Sequence, residues 1–67
     1  MPISYKKLWK LLIDKDMKKK DLQIAAGISS SSITKMAKNK NVSTETLTKV
    51  CIALDCDIAD IVEMIKD

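Results

Sequence analysis

A single glycine limits what this chain can become. Gly27 is the only glycine among 67 residues, and it falls between two short apolar stripes, Leu22 and Ala26 before it, Ile28, Ile33 and Met36 after it. A glycine just past the last apolar-periodic position of a helical segment marks a left-handed C-cap, because that backbone conformation crowds any residue carrying a Cβ. Ser29 then supplies the hydroxyl acceptor of a new N-cap, and the spacing predicts a helix over about Lys18 to Ala26, a tight turn, and a second helix over Ser30 to Lys38.

The flanking segments read as helices too. Tyr5, Leu8 and Leu12 recur at i, i+3, i+7 behind Ser4, a candidate N-cap, with Leu11 and Ile13 widening the stripe and Asp14, Lys15 and Asp16 closing it. Met1 to Ser4 is a lead-in, in which Pro2 has no backbone N–H to donate. Trp9 and Tyr5 are the only aromatics. A lone Trp at helical spacing is better read as core or core rim than as a base-stacking platform, which takes a series of aromatics. Ser43 caps a fourth helix carrying Leu47, Val50, Cys51 and Leu54, with Val42 as a staple in front of it. Asp57 caps a last helix with Ile58, Ile61, Val62 and Ile65 on its apolar side. The expected fold is all-α, a compact bundle of about five short helices in one domain over residues 1–67, with the helix-turn-helix at about 18–38. No strand-like alternation and no internal repeat is visible.

Charge is segregated along this frame. Residues 1 to 42 hold ten lysines against Asp14, Asp16 and Asp21, a net +7, whereas residues 43 to 67 hold two lysines against six acids, a net −4. Lys18, Lys19 and Lys20 crowd a helix N-terminus, where the macrodipole already places partial positive charge and favours an anion. Asp21 offsets part of this conflict; a phosphate bound at that tip offsets the rest. Ser30, Ser31, Ser32, Thr34 and Lys35 lie off the core face of the next helix. Hydroxyl residues are mediocre helix formers, so their density there calls for a use other than folding, such as donating and accepting at base edges. Lys38, Asn39, Lys40 and Asn41 make a polar, basic loop after it.

Other chemistries find little support. The chain has no histidine, and its two cysteines, Cys51 and Cys56, cannot complete the four-ligand set of structural zinc. Cys51 reads as a small buried hydrophobe, and a Cys51–Cys56 disulfide is not expected in a reducing compartment. Asp55, Asp57 and Asp60 lack the glycine and closing Glu of a calcium loop and read as caps and surface charge. There is no glycine-rich phosphate loop and no paired carboxylate in an apolar cleft, so an enzyme is not expected, nor a cofactor or metal. No apolar run approaches the ~20 residues of a membrane span and no signal-peptide core follows Met1, so the expectation is a cytoplasmic protein with no membrane partner.

From about Leu8 to Ile65 the chain resembles the lambda-repressor-like, Cro/cI-type helix-turn-helix family of small DNA-binding regulators. Leu22, Ala26, Ile28, Ile33 and Met36 match the motif's apolar positions, Gly27 matches its turn, and Leu47, Leu54 and Asp60 match its closing helices. The resemblance implies a regulator of transcription, in the first instance a repressor, that binds double-stranded DNA with Ser30–Lys38 in the major groove and the preceding helix across the backbone. Base contacts are then expected from Ser30, Ser31, Thr34 and Lys35. Phosphate contacts are expected from Lys18, Lys19, Lys20 and Ser29 at the helix tips and from Lys38, Asn39, Lys40 and Asn41 in the loop. Three departures stand out: Lys19 replaces a common glutamine, Gln23 a small alanine, and Ala37 with Asn39 the acid and glycine often found at the end of the reading helix.

A domain this small is expected to act as a homodimer on a pseudopalindrome, with Ile24 and Ile65 as candidate partner-surface residues, and no small-molecule effector is expected. The competing reading is a protein-interaction module, an antitoxin or adaptor, built on the same fold. Salt dependence of DNA binding separates the two.

Overall fold

The computed structural model describes residues 3–65. Four α-helices follow one another: α1 (Lys6–Asp14), α2 (Lys19–Ala26), α3 (Ser30–Ala37) and α4 (Thr44–Leu54). They are framed by two short strands, β1 (Ile3–Ser4) and β2 (Glu63–Met64), paired antiparallel with Ile3 opposite Met64 and Ser4 opposite Glu63.

Every helix contributes to one core. Tyr5, Leu8 and Leu12 from the α1 segment, Leu22 from α2, Met36 from α3, Leu47, Val50 and Leu54 from α4, and Ile61 are all buried. Trp9, Met17, Ala26, Ile28, Ile33, Val42 and both cysteines pack around it, half-buried. The apolar spacing in α1 to α4 is therefore the packing pattern, with Trp9 at the rim as expected. Ile13 departs from it. Far from widening the α1 stripe, its side chain is 76 % exposed, because the last turn of α1 rotates that position off the core. The cysteines are free, and Cys51 is half-buried where full burial was expected.

All four helices end in the same way, and only one uses glycine. Asp16 (φ 56°), Gly27 (φ 65°), Asn39 (φ 56°) and Asp55 (φ 51°) each adopt the left-handed conformation. The N–H of each returns to the carbonyl three residues back, on Ile13, Ile24, Met36 and Ile52. The N–H of the next residue then reaches the carbonyl five back: Met17 to Leu12, Ile28 to Gln23, Lys40 to Lys35 and Cys56 to Cys51. This is the Schellman arrangement, and asparagine and aspartate are the residues after glycine that tolerate its left-handed position.

The start of the chain and the stretch after α4 differ from expectation. Ile3 and Ser4 are strand, so the lead-in has structure; Met1 and Pro2 lie outside the described residues. The N-cap position of α1 is Tyr5, with Ser4 one residue earlier, although the Ser4 hydroxyl still accepts the Lys6 N–H at 3.2 Å. Among the described residues no fifth α-helix forms. Asp57 caps only a 3-10 turn, Ile58–Asp60, whose first N–H meets the Asp57 carboxylate while Asp60 accepts the Asp57 N–H at 2.9 Å. Ile61 then turns into the core and the chain extends into β2. So short a stretch nucleates an α-helix poorly, and β1 offers an edge with which Glu63 and Met64 pair.

Candidate nucleic-acid interface

The tip of α2 resolves its own electrostatic conflict in part. Lys18 is the N-cap position, and its backbone N–H donates to the Asp21 carboxylate at 2.8 Å. Asp21 therefore places a negative charge in the first turn, where the dipole favours it. The N–H groups of Lys19, Lys20 and Asp21 have no carbonyl within the helix, which is the general condition of a first turn. Lys18, Lys19 and Lys20 are all exposed. The Lys19 ammonium lies 4.7 Å from the centroid of the Trp9 ring, a cation–π contact that links α2 to α1.

Ser29 caps α3, its hydroxyl accepting the Ser32 N–H at 3.2 Å, and it lies within 3.0 Å of the Ser31 hydroxyl and 3.1 Å of the Ser32 hydroxyl. Of the serine run, then, Ser29 and Ser32 serve the helix start, and Ser32 is half-buried. Ser30, Ser31, Thr34 and Lys35 are exposed. Ser31, Thr34, Lys35 and Lys38 fall at i, i+3, i+4 and i+7, one stripe of the helix surface, opposite the buried Met36. The Thr34 hydroxyl donates to the Ser30 carbonyl at 3.0 Å, which commits its proton and leaves its lone pairs and methyl for other contacts.

The loop after α3 is held from below. Asn39, at the left-handed exit, accepts the Tyr5 backbone N–H on Oδ1 at 3.2 Å, and the Tyr5 hydroxyl donates to the Lys40 carbonyl at 2.9 Å. Asn39 Oδ1 is thus committed to the fold, which leaves the Nδ2 donor as the group able to meet a phosphate oxygen, while Lys38, Lys40 and Asn41 are exposed with no side-chain bond among the described residues. Asparagine substitutes for glycine here without redirecting the chain. Tyr5, read from sequence only as a core residue, is also the anchor of this loop; the signal for it was an asparagine just past the end of a helix.

The remaining titratable groups lie elsewhere. Burial pushes the Cys51 and Cys56 thiols up, and the negative charges of Asp57 and Asp60 add to this at Cys51. Among the described residues no cluster of three or more His, Cys, Asp or Glu is arranged to hold a metal ion, and no helix is long and apolar enough to cross a membrane.

A search among curated proteins gives no significant match. Among solved structures the chain is similar to the crystal structure of the transcriptional regulator VanUg, Form II, with a TM-score of 0.93 and 50 % identity over 98 % of this chain and 88 % of that one. The family model for the Cro/C1-type HTH DNA-binding domain matches residues 7–67. Four helices around one core, the Gly27 turn and the exposed hydroxyl stripe on α3 agree with that match: the chain belongs to the Cro/C1-type helix-turn-helix DNA-binding domain family.

Proposed function

We propose that this protein is a transcriptional regulator that binds double-stranded DNA in a sequence-dependent way, with α3 entering the major groove and α2 crossing the backbone. The observation that carries this reading is the exposed α3 stripe of Ser31, Thr34 and Lys35 with Ser30 beside it, bordered in sequence by two basic groups, Lys18–Lys20 and Lys38–Lys40. Hydroxyls and one lysine inspect base edges, while the flanking lysines neutralise phosphates and release counterions. Similarity to VanUg, a transcriptional regulator, supports the regulatory role.

Repression by occupancy is the simplest mechanism open to a DNA-binding domain, since a protein sitting on a promoter excludes polymerase. One α3 reads only a short half-site, so we propose a homodimer on a two-fold site. Ile24 (70 % exposed) and Ile65 (38 %) remain candidates for its surface. Selection of bound duplexes from a random pool, followed by a salt series on the winner, tests the whole reading. The expected result is an enriched, two-fold-symmetric site and a steep fall of affinity with salt. No enrichment and a nearly flat salt dependence would instead favour the adaptor or antitoxin role.

A further inference from the structure

We infer that Trp9 is a positioning residue for DNA binding: its ring holds the Lys19 ammonium at the tip of α2, ready for a phosphate. This rests on the reading of Lys19 as a phosphate contact. Lys19 sits at the first position of α2, and its ammonium lies over the Trp9 ring at 4.7 Å from the centroid, while the side chain stays exposed. Trp9 itself is half-buried and packed against the core, so the ring is a fixed surface and not a second mobile group. Trp9, Leu12 and Ile13 of α1 line one shallow groove with Lys18 and Lys19 of α2.

The chemistry favours joint occupancy. An ammonium carries three N–H donors; a ring face beneath it engages one side and leaves donors free for a phosphate oxygen above. A free lysine loses much of its rotamer freedom when it grips a phosphate, and a lysine already resting on a ring has lost part of that freedom before DNA arrives. The other two lysines of this tip, Lys18 and Lys20, have no such contact among the described residues. Lys19 is therefore the pre-ordered cation of the three.

The test is a double-mutant cycle on affinity for a mixed-sequence duplex, with Trp9→Leu, Lys19→Ala and the pair, and with Trp9→Phe as the conservative variant. Circular-dichroism melting checks that each folds. Trp9→Leu is expected to weaken binding about two- to five-fold, the span of an exposed cation–π contact. The same substitution is expected to change nothing further in the Lys19→Ala background, and Trp9→Phe, which keeps a ring, to recover most of the loss. Equal weakening in both backgrounds would overturn the inference, because Trp9 would then act through packing alone. Lys19→Ala weakening binding while Trp9→Leu does not would overturn it too, and leave the phosphate role of Lys19 standing. Lys19→Ala leaving affinity and salt slope unchanged would remove that role and the inference with it. A measurement on the unaltered protein covers the case in which Trp9→Leu does not fold: ring current should shift the Lys19 ε-methylene protons upfield of the other lysines, free and DNA-bound alike. Shifts that merge with those of the other lysines in the complex overturn the inference.

Discussion

The hydroxyl of Tyr5 and the carbonyl of Lys40, 35 positions apart, meet at 2.9 Å beneath the loop that follows α3. With the Tyr5 N–H on Asn39 Oδ1, this fixes two consecutive loop residues to the entrance of α1. The ring that makes the contact is fully buried, and the bond itself is part-buried at the edge of the exposed loop. Tyr5→Phe keeps the ring and removes only the donor, leaving the Lys40 carbonyl short of a partner. The expected cost is about 1 kcal/mol of stability, or roughly 4–8 °C in Tm for a domain of this size. Thermal melting by circular dichroism measures it. Duplex affinity should fall with it, equally for all sequences, because what loosens is the basic loop and not the α3 stripe.

The four helix exits predict opposite responses to glycine. At Gly27 (φ 65°) no atom lies within 4 Å of where a Cβ would be, so Gly27→Ala is penalised only by its backbone conformation. That penalty is about 1–2 kcal/mol and should appear as a lower urea midpoint with an unchanged m-value. Asp16 has the same conformation and, among the described residues, no side-chain bond, so Asp16→Gly should be neutral or stabilising. Asn39→Gly also relieves the backbone yet loses the acceptor of the Tyr5 N–H, and should destabilise relative to Asp16→Gly.

On the proposed DNA reading, specificity and affinity separate by residue. Ser31→Ala and Thr34→Ala should change which bases are selected and leave melting nearly unchanged, since both residues are exposed and neither caps the helix. Lys20→Ala and Lys38→Ala should weaken binding to all duplexes alike and lower the slope of log affinity against log salt by about 1 each. Selection from a random pool and a salt series measure the two effects. A change of base preference from Lys20→Ala would contradict the assignment of α2 to the backbone.

Alkaline pH should destabilise the fold. Burial raises the Cys51 and Cys56 thiols above their ordinary 9.0 and the Tyr5 phenol above its ordinary 10.0. For these acids the native state keeps protons that the unfolded chain gives up. Their contribution to stability is thus fully present below the unfolded pKa and is lost as pH rises through the folded one. Urea denaturation at neutral pH and again above pH 9.0 should give a lower midpoint in the second case. Native-state alkylation of both thiols near neutral pH should be slow, because the thiolate is the reactive species.

How much was legible in the sequence depends on how local the information was. The stripes Leu8–Leu12, Leu22–Ala26, Ile33–Met36 and Leu47–Val50–Leu54 announced four helices, since an apolar face must be buried whatever buries it. The caps Ser29 and Ser43 and the exit at Gly27 were equally readable, each being a contact made within a few residues. The left-handed conformation of Asp16, Asn39 and Asp55 is not legible in the sequence, because aspartate and asparagine serve many purposes and glycine few. The stretch Ile58–Ile65 satisfied a helical spacing and still did not become an α-helix. Its choice was settled by Ile61 entering the core and by Ile3 and Ser4 lying alongside, partners about 60 residues away in sequence.

Sequence alone thus determined the order and placement of the first four α-helices though not their number, the turn at Gly27, the division of charge along the chain, and the exposed hydroxyls and lysines on and around α3. Each of these follows from spacing within a single turn or from simple composition. Only the tertiary structure decided that Trp9 lies under Lys19, that Tyr5 supports Asn39 and Lys40, and that the two ends of the chain meet as strands. Those are contacts between segments, and their energy depends on where the burial of one core has carried side chains that have no fixed relation along the sequence.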